Sequence, residues 1–278
     1  MTPKMTTTEA IRHIRASRGY GDLIEQAYLD EDTEAAVARF RASAEFYETL
    51  RLLPALANLT ILDLGAGTGL ATRALAEAGA AHVIAVEPEL DDVVGLGALA
   101  AAPAGLPITS VGAVGSALPL SEASVDVVYC RQVLHHLSDL GPSLREAARV
   151  LRPGGWFIAT REHVVDDDTQ LEAFLAKHPV HQLAGGEGAW SLDAYRAAIT
   201  GAGLIMTQEL GPWESVVNAY PAVETDDELQ RAPELMLARR TGPLIGRVAA
   251  LPGIRVVVWR RLRRAKPGRL FSFVARKP

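Results

Sequence analysis

The chain has 278 residues, of which 49% are apolar and 22% charged, and it carries a net charge of -5. That composition suits a globular domain with additions and gives no reason to expect nucleic acid as a partner. A single cysteine, Cys130, excludes an internal disulfide and fits a reducing, cytoplasmic compartment.

The opening MTPKMTTTEA is polar and no apolar signal core follows it, so no leader is expected. Residues 7–53 read as helix. Threonines able to cap begin "TTTEAIRHIRAS", Phe40, Phe46, Tyr47, Leu50 and Leu53 recur at helical spacing, and Pro54 marks the stop. Residues 1–56 are therefore expected to form a helical cap, or a lid, over a main domain spanning 57–278.

From residue 59 strand and helix patterns alternate. "LTILDL", "HVIAVEP", "ITSVGA", "VDVVYCR" and "WFIATRE" read as strands. "LATRALAEAGA", "ELDDVVGLGALAA" and "SLREAARVLR" read as helices between them. Such alternation implies parallel pairing with helices on both faces. Residues 93–121 carry no charge, but Pro103, Pro107 and Pro119 divide them, so they are not expected to span a membrane. Further on, "DDTQLEAFLAKH" and "SLDAYRAAITGAG" look helical, "LIMTQELGPWESVV" is a sixth strand, and 222–268 is polar and helical before a last strand in "RLFSFVARKP". The expected fold is α/β: a doubly wound, mostly parallel, seven-stranded sheet with a helical insertion before the last strand.

The most informative stretch is "ILDLGAGTG", residues 61–69. A glycine-rich turn between strand and helix brings backbone amides and the positive end of a helix close to a ligand. Several nucleotide folds share that device. Here the spacing is G-x-G-x-G, not the dinucleotide G-x-G-x-x-G, which argues against an NAD enzyme. Asp63, two residues before the first glycine, would repel a pyrophosphate and favour a cationic ligand. Glu87 ends the second strand, where an acidic residue accepts both hydroxyls of a ribose.

Together "LDLGAGTG", "VIAVEPE", "GSALPLSEASVDVVYCRQVLHHL" and "LREAARVLRPGGWFIATRE" resemble the motifs of the class I S-adenosylmethionine-dependent methyltransferases, close to their broad small-molecule group. The resemblance covers about residues 58–162. It implies S-adenosyl-L-methionine as cofactor, S-adenosyl-L-homocysteine as product, and a small-molecule acceptor as partner. It places Gly65, Ala66 and Gly67 against the adenosyl and methionine portions, Asp63 near the methionine ammonium, and Glu87 on the ribose. Gly115 and Ser116 fall where the family contacts adenine, although many relatives have an acidic residue in that loop. Cys130 and Arg131 fall at the methionine end.

A hydroxyl acceptor needs a base, and histidine titrates near neutrality. Of the seven histidines, His163 after the fifth strand, oriented by Glu162, is the first candidate, and His136 in the His135–His136 pair is the second. The plain alternatives are an Arg161–Glu162 salt bridge and a pair that packs a helix start. His178 and His181 have a spacing able to ligate metal, but no cysteine lies near, so no metal site is expected. "GGEGAW" is read as a gate, with Trp190 on substrate or on core. Segments 164–200 and 222–268 are expected to shape the acceptor side. The run from Arg255 to Arg269 is basic enough to draw an anionic substrate, an acidic partner or a membrane surface, or is a solvated helix face. A bacterial biosynthetic enzyme is the expected setting. An RNA or protein methyltransferase and a non-catalytic nucleotide-binding subunit are the rival readings.

Overall fold

The structure is a computed structural model that describes residues 4–264 and 266–278, with Asp22 described in its backbone only. Four short helices come first: α1 (Thr7–Ala16), α2 (Gly21–Ala27), α3 (Thr33–Arg41) and α4 (Ala44–Leu52). The expected helical stretch over 7–53 is divided because capping side chains restart it. Thr6 and Glu9 form a capping box, and Asp32 and Ser43 accept from backbone amides at the starts of α3 and α4.

The alternating region then gives β1 (Thr60–Leu64), α5 (Leu70–Glu77), β2 (His82–Glu87), α6 (Leu96–Ala100), β3 (Ile108–Gly112), β4 (Val125–Arg131), α7 (Leu140–Val150) and β5 (Leu151–Val164). The helix expected over 89–101 is confined to α6. The residues before it form a turn, in which the Val93 amide donates to Asp91 Oδ1 and Gly95 has φ +134°. Next come α8 (Asp168–Leu175), α9 (Pro179–Leu183), α10 (Leu192–Gly201) and β6 (Ile205–Leu210). The sixth strand is shorter than the expected 204–217, since it stops at Leu210 and α11 (Val216–Ala219) follows a turn; the 222–268 insertion then supplies α12 (Asp226–Gln230), α13 (Ala232–Thr241), α14 (Pro243–Gly246) and α15 (Pro252–Leu262) before β7 (Arg269–Arg276).

The strands form one seven-stranded sheet in the order β3-β2-β1-β4-β5-β7-β6. β1 to β5 pair in parallel, whereas β7 runs antiparallel to both β5 and β6. The sheet is therefore mixed, which corrects the expectation to that extent. The segment that leads from β6 into the insertion lies at the carboxyl edge of the sheet, where the Arg161 guanidinium donates to the carbonyls of Val217 and Tyr220. A chain that re-enters a sheet from the edge it has just left must run back antiparallel.

Side chains of both faces are buried. Ile61, Val83, Val127, Tyr129 and Ile158 pack with α5 and with Phe40 and Phe46 of α3 and α4. Leu62, Val128, Phe157 and Phe273 pack with α7 and with Tyr195 and Ile199 of α10. Strands covered on both sides point their carboxyl ends into a crevice, which is where ligands of open α/β sheets sit. Among the described residues no helix is long and apolar enough to cross a membrane.

Candidate active site

Two carboxylates define one part of the crevice. Asp63 in β1 and Glu87 at the end of β2 are both buried, on adjacent parallel strands. Thr72 of α5 donates its hydroxyl to Asp63 Oδ2 at 2.5 Å. Burial nevertheless pushes the Asp63 carboxyl up to about 6, and the negative charge of Glu87 adds to the rise. Glu87 accepts from the Gly67 amide at 2.8 Å through Oε2 and from the Glu89 amide at 3.1 Å through Oε1. Its carboxylate is thus fixed above the glycine turn with lone pairs to spare on each oxygen.

The turn itself is stripped of side chains for a reason visible in the packing. Gly65 and Gly69 have φ +71° and +81°, and a Cβ on Gly65 would lie 2.7 Å from the Val133 side chain. Val133 follows β4, so the segment after that strand is pressed against the turn. Gly115 is half-buried beside Ser143 and Leu64, and Ser116 is exposed.

At the end of β4 the chain separates its two neighbours. The Cys130 thiol points into the core shared with α7, and burial raises it well above the ordinary thiol range. Its side chain therefore faces away from the crevice. Arg131 points to the other face, where its guanidinium donates to Glu45 Oε1 of α4 at 2.7 Å and lies over the rings of Tyr28 and Phe40. Arg161 approaches the same Glu45 oxygen at 3.6 Å. Two buried guanidiniums therefore share one carboxylate. Burial disfavours the charge of Glu45, but Arg131 and Arg161 outweigh it and hold the carboxyl below its usual range. Arg131 Nη2, Arg161 Nε and Glu45 Oε2 are buried without hydrogen-bond partners.

Glu162 does not orient His163, nor does it pair with Arg161. The pairing of β5 with β7 is irregular between Ala159 and Glu162, and Arg161 there has φ +60°. This irregularity re-aims the side chains that follow. Glu162 turns toward the segment after β4. It accepts from the amides of Val133 and His135 at 3.0 and 3.1 Å and from His135 Nδ1 at 2.7 Å. Burial works against its ionisation, but the His135 contact and the amides outweigh that and keep the carboxyl low. Gln132, just before, has φ +55°, a conformation that non-glycine residues adopt rarely and often near functional sites.

His163 donates from Nδ1 to the Gly268 carbonyl at 2.8 Å and packs against His135 and Phe174. Burial, with the neighbouring His135 adding to it, pushes its pKa down to about 3. His136 lines a cleft of about 490 Å³ bounded by residues 135–138, Val165–Asp168 and 186–191; His163 does not line it. His163→Phe is accordingly expected to avoid the roughly 10²–10⁴-fold fall in turnover that loss of a general base brings. A pH–rate profile whose acidic limb vanishes in that variant would show the opposite.

The loop that closes the cleft is held in place. Trp190 donates its indole N–H to the Leu137 carbonyl at 3.2 Å, packs against the α7–α10 core, and accepts from the Val165 amide. A Cβ on Gly188 would lie 2.6 Å from the His135 carbonyl oxygen. The close fit brings Glu187, unassigned from the sequence, beside His135, His136 and His178. Of the basic run, Arg255 pairs with Glu234, Arg269 with Asp166, and Arg263 lies over the Trp259 ring.

Comparison with known proteins adds the family. A methyltransferase-domain profile matches residues 62–159, the stretch from β1 to β5 that carries both carboxylates and the glycine turn. This match gives residues 62–159 a methyltransferase domain, similar to those of the class I S-adenosylmethionine-dependent methyltransferases. An uncharacterized methyltransferase of Mycobacterium tuberculosis is 45% identical over 108 residues, 37% of this chain and 40% of that one. A ubiquinone biosynthesis O-methyltransferase of Parvibaculum lavamentivorans is 34% identical over 129 residues, 46% of this chain and 50% of that one. The chain thus spans about half or less of the length of these two curated relatives. Among solved structures, geranyl diphosphate methyltransferase in complex with S-adenosylmethionine has the same fold, with a TM-score of 0.59 at 17% identity over 99% of this chain and 96% of that one.

The residues of this domain fit the family's donor, S-adenosyl-L-methionine. Asp63 and Glu87 are buried carboxylates on neighbouring strands, the charge of Glu87 adds to the upward shift of Asp63, and a ligand carrying an ammonium and a sulfonium supplies the opposite charge. Glu87 has acceptor capacity for ribose hydroxyls. Arg131, with an unpartnered buried nitrogen at the end of β4, suits the methionine carboxylate. The Cys130 side chain, buried in the core, is turned away from such a ligand. Glu45 and Tyr28, which the sequence reading left unassigned, complete the polar wall around Arg131.

Proposed function

We propose that the chain is an S-adenosylmethionine-dependent methyltransferase acting on a small-molecule acceptor, through oxygen or nitrogen, in a bacterial biosynthetic pathway. The supporting observation is the pair of buried carboxylates on successive strands beside a glycine-rich turn. The acceptor occupies the cleft next to His136. Residues 1–56 act as its helical cap, 57–278 as the methyltransferase domain, and 164–200 and 222–268 as acceptor-side elements. The loop around Glu187 and Trp190 belongs to the first of those elements and lines the cleft. The Parvibaculum relative, a ubiquinone biosynthesis O-methyltransferase, agrees with this setting.

The chemistry asks mostly for placement. Held by these residues, the donor would supply a methyl group made electrophilic by its sulfonium and would leave as the neutral thioether once the acceptor's lone pair bonded to that methyl, with the acceptor's proton passing to solvent in the cleft. Alignment alone supplies up to about 7–11 kcal/mol in favourable cases. Asp63 and Glu87 hold the donor's cationic and ribose ends, and Val133 keeps the segment after β4 tight against the turn.

Two measurements test this reading. Acceptor-dependent release of S-adenosylhomocysteine from a panel of small hydroxylated and amino compounds is expected, and binding of donor without release from any acceptor would leave a binding protein only. Donor affinity is also expected to fall as pH drops below about 6. Protonation of Asp63 removes the charge the ammonium meets, so Kd rises by up to about tenfold per pH unit there. A Kd flat between pH 7 and 5 would remove Asp63 from the contact.

A further inference from the structure

We infer that His135, His136 and Glu187, with His178 beside the second oxygen of Glu187, form a binding site for a divalent transition-metal ion of the zinc class on the wall of the acceptor cleft. Glu187 is the centre of the group. Its Oε2 lies 3.8 Å from His135 Nε2 and 3.5 Å from His136 Nδ1, and its Oε1 lies 3.8 Å from His178 Nδ1. The ligating atoms of His135, His136 and Glu187 all fall within 4.8 Å of one another. These separations are too long for hydrogen bonds. They are close to the edges of a coordination tetrahedron, since bonds of about 2.0–2.2 Å set neighbouring ligand atoms about 3.3–3.6 Å apart.

Three independent features point the same way. First, Glu162 takes the Nδ1 side of the His135 ring at 2.7 Å. That leaves Nε2 aimed at Glu187, in the carboxylate–histidine–metal arrangement that orients ligating imidazoles. Second, His178 Nδ1 is buried and has no hydrogen-bond partner, although it faces a carboxylate. A buried polar nitrogen of that kind calls for a ligand. Third, the scaffold is fixed. The amides of Val133 and His135 hold Glu162 in place, and the close contact of Gly188 with the His135 carbonyl seats Glu187.

Two imidazoles and one carboxylate, with a third imidazole next to that carboxylate, suit zinc, iron, nickel or copper and are a poor set for magnesium or calcium, which take oxygen ligands. Within the sequence pair His178–His181, only His178 joins the group. His136 is the most exposed of the three ligands, with 43% of its side chain accessible, so the fourth, open position of the ion faces the cleft where an acceptor's oxygen or nitrogen atoms would lie. The site uses none of the residues assigned to the donor, so it stands or falls separately from donor binding.

The test uses the full chain, stripped with a chelator and titrated with zinc alone, read by equilibrium dialysis with elemental analysis. Cobalt(II) serves as a spectroscopic replacement. One equivalent of zinc is expected, with the intense visible absorption of four-coordinate cobalt. Glu187→Gln, in the loop, and His136→Ala, on the rim, are each expected to weaken zinc binding at least about tenfold, while His82→Ala binds as the parent does. Glu162→Gln is expected to weaken it about 10–100-fold, as loss of an outer carboxylate does. Circular dichroism of each variant confirms folding, and donor calorimetry is expected to be unchanged in Glu187→Gln. No binding at millimolar zinc, or binding that Glu187→Gln and His136→Ala leave unaltered, overturns the site.

Discussion

Glu87→Ala is expected to weaken donor binding by on the order of 10²–10⁴-fold, because two charge-assisted hydrogen bonds of about 1.5–3 kcal/mol each are lost together. The carboxylate is positioned for this before any ligand arrives. It is buried at the end of β2, and the Gly67 and Glu89 amides fix its two oxygens. The substitution leaves those amides without an acceptor, so a stability loss of about 1–3 kcal/mol accompanies it. Thermal unfolding of the free protein separates that loss from the binding effect. Glu87→Gln keeps the shape and part of the hydrogen bonding, and should fall between the parent and Glu87→Ala. An unchanged Kd in a folded Glu87→Ala protein would remove the ribose assignment.

Glu45→Ala is expected to give the largest loss of stability, about 3–5 kcal/mol, because it strands two buried guanidiniums. Arg131 and Arg161 are both buried, and Glu45 is the carboxylate their ion pairs reach. Arginine does not deprotonate in proteins, so neither charge can be shed. The pair also ties α4, and with it the N-terminal helices, to the ends of β4 and β5. Urea unfolding at neutral pH measures the loss, and an unaltered midpoint would show that the network contributes nothing. The pH dependence follows from the sign of the shift. The Glu45 carboxyl is held below its unfolded value, so its contribution is present above the ordinary carboxylate range and disappears as pH falls through the lowered native value.

The local signals of the fold were legible. The strands around the glycine turn announce themselves by unbroken apolar runs, and "VDVVYCR" coincides with β4. Asp63, Glu87 and the turn stand at their expected places because each depends on position along a single strand–turn–helix unit. What escaped depends on contacts distant in sequence or on irregular backbone. Glu45 meets Arg131 across 86 residues, and no local pattern in α4 marks it as more than a surface glutamate. Glu162 was expected beside His163 from adjacency in sequence alone, although neighbours along a regular strand point to opposite faces. The irregularity between Ala159 and Glu162 turns it to His135, and only the backbone reveals that. Glu187, flanked by glycines, read as part of a gate. Its role comes from a loop seated so closely on residue 135 that Gly188 has no room for a side chain. The direction of β7 was also hidden, since it depends on where the insertion docks.

The most direct test is a crystal structure of the protein with S-adenosylhomocysteine bound. The ribose hydroxyls are expected within hydrogen-bond distance of the Glu87 carboxylate, with the amino acid end between Asp63 and Arg131. A nucleoside seated anywhere else, leaving those three side chains as they are in the free protein, would contradict the account.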